Sequence, residues 1–271
     1  FARGCDVRIE DSTGRFAALS LQGPTSRNVL NNVCDQPVDE LKYFWMMSNT
    51  IEKAEVFVSR TGYTGDLGYE IWIENEDAIS VYDALISGGT PFGLEPAGLD
   101  AMDVTRIEAG YMLNGVDYYN ATHCLIESRK STPYELDLGW MVRLKRPPFN
   151  GSVALKKEKA AGPVRKLVCV DVDWDELEAH FNKIGLPAEI NNGGWREPVP
   201  VYNDAGEQVG YATSGAWSPI LKKNLALATV QSAYAVVGTK LRFEVTVEYR
   251  RLTVLGTAVK KPQFDPERKR A

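Results

Sequence analysis

The chain has 271 residues, of which 44% are hydrophobic and 25% are charged, enough to bury a sizeable core and to suggest two domains. Its formal net charge of -5 argues against non-specific nucleic-acid binding, and no apolar run approaches the roughly 20 residues of a membrane span. Four scattered cysteines lack metal-ligand spacing, which predicts reduced thiols, no metal site and a cytoplasmic protein: Cys5, Cys34, Cys124 and Cys169.

The first part of the chain alternates predicted strands and helices. Strands are predicted over 16–21, 55–60 and 69–74, because apolar residues recur there at every second position. Helices are predicted after Pro24, after Asn75 and over 96–112. Helices that pack on antiparallel strands indicate an α+β fold, and we expect this domain to occupy residues 1–162.

From residue 163 the pattern changes to short apolar segments separated by turns. This two-residue periodicity predicts a small all-β domain, a barrel or a jelly roll, over residues 163–271. We expect 174–195 to be an insertion that begins as a helix, and 214–219 to be a loop. A further strand is predicted over 138–142, and the basic cluster 268–270 is expected to be a solvated tail.

The glycine-rich turn between the second and third predicted strands is the most informative stretch. We expect Gly62, Gly65 and Gly68 to supply the positive φ angles of a tight connection. In the returning strand, Glu70 shares a face with Trp72. A carboxylate at this position either accepts hydrogen bonds from ligand N–H groups or is a solvated strand acid, and the residue chemistry alone favours the solvated acid.

Residues 60–71 closely resemble the RTGYTGExGYEI signature of the glycine cleavage T-protein (aminomethyltransferase) family. That superfamily also contains dimethylglycine and sarcosine dehydrogenase modules and folate-dependent demethylases. Further matches occur in the family's order, at 21–24, 106–110, 213–215 with 218–219, and 264–267. The resemblance therefore covers nearly the whole chain. It implies a folate-binding T-protein-like α+β domain followed by a small C-terminal β-barrel domain.

The resemblance also implies a ligand and a reaction. The chain is expected to bind tetrahydrofolate and a small one-carbon donor and to transfer an aminomethyl or methyl group, as an aminomethyltransferase-like transferase or a fragment of one. Tyr63 and Glu70 match folate or substrate contacts of the family. Trp217 lies in a stretch that faces the folate cleft in the family, where it could stack on the ligand or anchor the core.

One position departs from the family. Aminomethyltransferases carry an arginine that helps to hold the folate immediately before the acid matched by Asp103, and this chain has Met102 there. A thioether cannot donate a hydrogen bond as a guanidinium does. The family's other arginine is kept as Arg106, which is more often a structural partner. Met102 fits the dehydrogenase-associated and demethylase branches better, so a folate-dependent demethylase and a non-catalytic folate-binding or interaction module stay open as alternatives.

The family's catalytic aspartate belongs to a segment that would precede Phe1, so no residue here matches it and the catalytic residue is unknown. If that segment is missing, one face of the first domain should be exposed and apolar, which predicts self-association or a protein partner. The pair His123 and Cys124 suggests a metal or nucleophile site, but no other potential ligands cluster nearby.

Overall fold

The computed structural model describes residues 4–120, 122, 124–190 and 192–271. The chain divides into two compact units. The first unit comprises the chain up to Ala97 together with Asp265–Ala271, and the second unit comprises Gly98–Phe264. The predicted domain division at residue 162 stays a prediction.

The first unit contains a four-stranded antiparallel sheet covered on one face by helices. Its strands follow the order β1-β4-β3-β2. Alternate residues of β3 and β4, among them Val58, Tyr69 and Ile71, are buried in the core under the helices. The elements are β1 (Phe16–Gln22), α1 (Ser26–Val33), β2 (Met46–Ile51), β3 (Ala54–Ser59), β4 (Gly68–Glu74) and α2 (Ala78–Gly89), with short 3-10 helices at Asn75–Asp77, Thr90–Phe92 and Glu267–Lys269.

The second unit is built on a closed antiparallel barrel with the strand order β10-β5-β8-β7-β6-β9. This arrangement confirms the predicted α+β class with a β-barrel in the C-terminal part. Its elements are α3 (Leu99–Glu108), α4 (Ser152–Ala161), β5 (Arg165–Val172), α5 (Trp174–Asn182), β6 (Val199–Tyr202), β7 (Gln208–Ser218), β8 (Lys223–Gln231), β9 (Lys240–Val247) and β10 (Arg250–Val259), with 3-10 helices at Glu127–Arg129, Gly139–Met141 and Ser232–Tyr234.

Two predicted elements of the second unit are wrong. The segment 138–142 forms a 3-10 turn, because the N–H groups of Met141 and Val142 donate to carbonyls three residues earlier, at 3.0 and 3.1 Å. The segment 214–219 is not a loop, because β7 continues through Ser218 and pairs with β8. Gly215 serves packing here: an added Cβ would lie 2.4 Å from the indole of Trp195.

The basic cluster 268–270 is not a solvated tail. Arg268 donates two hydrogen bonds to the carboxylate of Asp66, both at 2.7 Å, and Lys269 is buried. Arg60 is also buried, and its Nη2 donates to the carbonyls of Lys269 at 3.2 Å and Ala271 at 2.5 Å. Burial lowers the pKa of the Arg60 guanidinium. These contacts attach the segment to the glycine-rich turn, an arrangement that composition alone could not indicate.

Candidate functional site

The side chain of Gln22 holds the glycine-rich turn together. Its Nε2 donates to the carbonyls of Thr61 at 3.4 Å and Tyr69 at 3.2 Å. A Cβ at Gly62 or Gly68 would lie 2.1 or 1.8 Å from Gln22 Oε1, so these glycines are needed for the close approach of Gln22. The prediction that they adopt positive φ is wrong.

Of the three glycines in the turn, Gly65 alone has a positive φ, of 78°. The turn therefore combines one conformational glycine with two that make room for a side chain from a distant strand. Gln22 belongs to a motif matched at 21–24, so the structure brings together two of the motifs found in the sequence.

Glu70 lies on the face of the sheet that the helices leave uncovered. On β4 its neighbours at positions 69 and 71 point into the core, while Glu70 is half-buried. Thr61 donates its hydroxyl hydrogen bond to Glu70 Oε2, and the hydroxyls of Thr61 and Ser59 are 2.8 Å apart. Among the described residues, Oε1 of Glu70 accepts no hydrogen bond. One carboxylate oxygen is therefore held by the turn and the other remains available to a ligand.

The same face carries exposed aromatic residues. Trp72 on β4 is paired directly with Phe57 on β3, and both are 42% exposed. Nearby in the chain, Phe44, Trp45 and Met46 are each more than 60% exposed. Soluble monomers rarely expose contiguous apolar patches of this kind without a function. These side chains are exposed in the structure, and the predicted apolar face and self-association stay predictions.

The other candidate residues lie in both units. Tyr63 is half-buried in the glycine-rich turn of the first unit. Met102 and Arg106 lie on α3, and Trp217 lies on β7, all in the second unit. Met102 is half-buried. Their participation in ligand binding stays a prediction.

Arg106 forms a buried network of charges and hydrogen bonds. Its side chain is fully buried, its Nε donates to Asp103 at 2.9 Å, and its Nη1 donates to Asp117 at 2.6 Å. Arg196 donates to the other oxygen of Asp103, also at 2.6 Å. The (i, i+3) spacing of Asp103 and Arg106 could have indicated their pairing from the sequence. These contacts connect Arg106 to its own helix α3 and to the loop that follows it.

Asp117 is the residue that the sequence analysis missed. Besides Arg106, it accepts hydrogen bonds from the backbone N–H of Leu113 at 2.7 Å, from Thr213 at 2.5 Å and from Ser214 at 2.6 Å. It therefore connects α3 and the following loop to strand β7. The sequence places Asp117 in an irregular polar stretch with no local signal for burial, so only the tertiary structure reveals the contact.

Glu108, at the end of α3, is a further buried acid beside Asp103 and Asp117. Its Oε1 accepts a hydrogen bond from Ser218 at 2.6 Å, and its Oε2 is buried without a partner among the described residues. Burial raises the pKa of the Glu108 carboxyl, while the bond from Ser218 opposes the rise. It lies in the motif matched at 106–110, yet its contacts are with the barrel strand β7, which indicates a packing role.

The suggested metal or nucleophile pair stays a hypothesis. His123 lies outside the described residues. Cys124 is buried, and its thiol donates to the carbonyl of Ile126 at 3.1 Å. Within the described ranges, no three His, Cys, Asp or Glu side chains come together to hold a metal ion, and no helix has the length and hydropathy needed to cross a bilayer. The cysteines of the described part are free thiols, and burial raises the pKa of Cys169 to about 12.

Comparison with known families decides where the chain belongs. The GCVT N-terminal domain matches residues 2–146, more than half of the chain, and the glycine cleavage T-protein C-terminal barrel domain matches residues 185–265. The chain belongs to the glycine cleavage T-protein family. This membership confirms the resemblance that the signature and the ordered motifs indicated.

Relatives of this T-protein family member include two bacterial proteins named aminomethyltransferase. The protein from Halothermothrix orenii is 35% identical over 256 residues, which cover 94% of this chain and 63% of the relative. The protein from Bacillus pumilus is 35% identical over 254 residues, which cover 93% of this chain and 62% of the relative. The chain thus spans less than two thirds of the length of these relatives.

A solved structure has the same fold. The crystal structure of glycine cleavage system aminomethyltransferase T from Bartonella henselae matches with a TM-score of 0.73 and 24% sequence identity. The match covers 92% of this chain and 60% of that chain. At this identity, the similarity establishes the T-protein fold.

Proposed function

We propose that the chain contributes a tetrahydrofolate site to a protein that transfers aminomethyl groups. The observation that carries this proposal is the position of Glu70: a carboxylate on an uncovered sheet face, with Oε2 held by Thr61 and Oε1 without a partner among the described residues. The names of the relatives, aminomethyltransferase, support the reaction class.

The residues around Glu70 fit a folate in chemical terms. The aminopyrimidine edge of the pterin presents N–H donors, and a carboxylate is an acceptor that binds such donors strongly. Hydrogen bonds to charged groups contribute roughly 1.5–3 kcal/mol each. The Trp72 and Phe57 rings, exposed on the same face, add a flat apolar surface of the kind that a ring system contacts.

In this proposal the chain acts by positioning. Bound tetrahydrofolate would supply the nitrogen atoms that accept the one-carbon unit. Glu70 would orient the ligand, and Thr61 would keep the carboxylate in place. Gln22 and Arg268 would restrain the glycine-rich turn, through the carbonyls of Thr61 and Tyr69 and through the carboxylate of Asp66 respectively. Positioning of this kind can supply a large part of a rate enhancement.

A second candidate is a non-catalytic folate-binding module or a folate-dependent demethylase of the same family. The observation that favours it is Met102, which stands where aminomethyltransferases have a folate-holding arginine. If Met102→Arg raises the affinity for tetrahydrofolate, the result would favour this second candidate, and an unchanged affinity would count against it. The gene sequence next to the codon for Phe1 gives a second test, because a segment with the family's catalytic aspartate would support the enzyme.

The experiment for the main proposal is a calorimetric titration of tetrahydrofolate into the parent and Glu70→Gln proteins. The change keeps the shape but removes the charge and turns one acceptor into a donor. We expect at least about tenfold weaker binding, or about 1.4 kcal/mol, with little change in melting temperature. Glu55→Gln is the matched control, because Glu55 is an exposed acid on the neighbouring strand β3.

Equal affinities of the parent and Glu70→Gln proteins would show that Glu70 is a solvated strand acid. No tetrahydrofolate binding by the parent protein would refute the proposed site in this chain. A loss of affinity in Glu55→Gln equal to that in Glu70→Gln would indicate a general effect of charge on this face instead of a specific contact.

A further inference from the structure

The second unit contains a cavity of about 320 Å³ at one end of the barrel, a volume within the range of small-molecule sites. Its described lining comes from strands β5 to β9, from α5 and from the segment that follows α5. All of its described lining residues belong to the second unit. The sequence predicts no function for this region beyond a folate contact of Trp217.

Five aromatic residues are among those that line the cavity, and Phe181 on α5 is one of them. Trp174 at the start of α5 and Trp217 on β7 have ring centroids 5.0 Å apart, with planes tilted by 57°. Trp195 and Phe243 have centroids 5.9 Å apart and an edge-to-face arrangement. Trp195 approaches β7 closely because Gly215 there has no side chain. Four rings from separate parts of the chain are therefore held around one space.

The charged residues of the lining are of one sign. Glu189 and Glu244 line the cavity, and its described lining includes no lysine, arginine or histidine. The faces of aromatic rings carry negative electrostatic potential, and tryptophan attracts cations more strongly than the other aromatic residues. The carboxylates and the indole faces thus both favour a ligand that has a positive charge and an apolar surface.

Asn224 adds a polar group inside this lining. Its pairing with Val172 on β5 and Trp217 on β7 places the three residues on one face of neighbouring strands, and Val172 belongs to the barrel core. Asn224 is half-buried and forms no side-chain hydrogen bond within the described ranges. Its amide is available to a hydroxyl or a carbonyl of a ligand.

We propose that this cavity binds a small organic cation of the methylated-ammonium class that also carries a hydroxyl or carbonyl group. The aromatic rings and the two carboxylates would accommodate the cationic head, and Asn224 would bond to the polar group. Neutral ligands of the same shape would gain the apolar contacts but not the cation–π attraction. In this proposal the cavity is a second site: its described lining residues belong to the second unit, and Glu70 belongs to the first.

The test compares choline with 3,3-dimethylbutan-1-ol, which has the same shape and hydroxyl group but no charge. Titration of each into the full chain is followed by calorimetry and tryptophan fluorescence, with sodium chloride as the ionic-strength control. We expect choline to bind at least about tenfold more tightly than the alcohol. Equal affinities, or no binding of choline, would overturn the proposal.

Variants locate the binding within the chain. Trp174→Leu and Glu189→Gln should each weaken choline binding several-fold, and the second change is at an exposed position that folding tolerates. Trp140→Leu is the matched control, because Trp140 is 76% exposed and lies outside the cavity. Choline affinity unchanged in both cavity variants would refute the assignment.

Competition separates this proposal from the folate site. Saturating tetrahydrofolate should leave the affinity for choline unchanged. Displacement of choline by tetrahydrofolate would mean that the cavity is part of the folate site, and would overturn the inference of a separate site.

Discussion

Replacement of Asp117 should destabilise the second unit more than any surface change. The side chain of Asp117 is fully buried, and it accepts hydrogen bonds from Arg106, from the N–H of Leu113, and from the hydroxyls of Thr213 and Ser214. In the Asp117→Ala variant, the guanidinium of Arg106 and the N–H of Leu113 would each lose an acceptor inside the protein. The hydroxyls could rotate towards other acceptors, so the main cost comes from the first two donors.

The magnitude follows from the charge balance of the network. Two carboxylates, Asp103 and Asp117, face two guanidinium groups, Arg106 and Arg196. Removing one partner of a buried ion pair costs about 3–5 kcal/mol, because the other charge remains buried. Asp117→Asn should cost less, about 1–2 kcal/mol, because the amide keeps one acceptor for Arg106 and lets the hydroxyls accept from its NH₂ group.

Urea unfolding followed by circular dichroism measures both variants against the parent protein. The expected order of unfolding free energy is parent, then Asp117→Asn, then Asp117→Ala. Asp83→Ala is the control, because Asp83 is an exposed acid on α2, and surface changes usually stay within about 0.5 kcal/mol. A cost of Asp117→Ala below about 1 kcal/mol would show that the network contributes little and that the reasoning from buried charge is wrong.

Three further predictions concern the turn, a buried acid and the exposed face. Gly68→Ala would displace Gln22 and break its hydrogen bonds to two backbone carbonyls, so we expect a loss of about 1–2 kcal/mol in unfolding free energy. When Gln22→Ala is already present, the further loss caused by Gly68→Ala should fall below about 0.5 kcal/mol. An undiminished loss in the double variant would show that Gln22 does not depend on the space at Gly68. Because the pKa of Glu108 is raised in the folded state, the folded protein keeps this proton at pH values above about 4.3, where the unfolded chain loses it. The unfolding free energy should therefore fall as pH rises from about 4.3 through the folded-state pKa, and Glu108→Gln should abolish this fall in urea titrations at several pH values. Parallel pH profiles of unfolding free energy for the parent and the variant would refute this prediction. Trp72→Thr should reduce self-association in sedimentation experiments, because Trp72 is 42% exposed on the uncovered face, whereas a parent protein that sediments as a soluble monomer would exclude this association.

Local patterns predicted three of the four strands of the first unit, whereas β2 (Met46–Ile51) was not predicted. Buried residues alternate along β3 and β4 as the two-residue period predicted, because one face of the sheet packs on helices and the other does not. The same parity placed Glu70 and Trp72 together on the uncovered face. The signature and the ordered motifs predicted the family by themselves, because each of them is a local string of residues.

The roles of the glycines and of the basic tail could not be predicted from the sequence. A glycine that makes room for a distant side chain looks the same in the sequence as one with a positive φ, so Gly62 and Gly68 were assigned to the wrong cause. The tail 268–270 contacts residues about 200 positions away, at Asp66 and Arg60. Charge and composition report the solvation of a segment only when nothing distant packs against it.

The sequence by itself determined the family, the alternation of elements and the face on which Glu70 lies, since these depend on neighbouring residues and their period. Only the tertiary structure decided that Asp117 is buried, that Gln22 closes the glycine-rich turn, and that Trp174, Trp195 and Trp217 surround one cavity. The physical reason is that burial and hydrogen-bond partners depend on which distant segments meet. Local sequence patterns do not show which distant segments will contact each other.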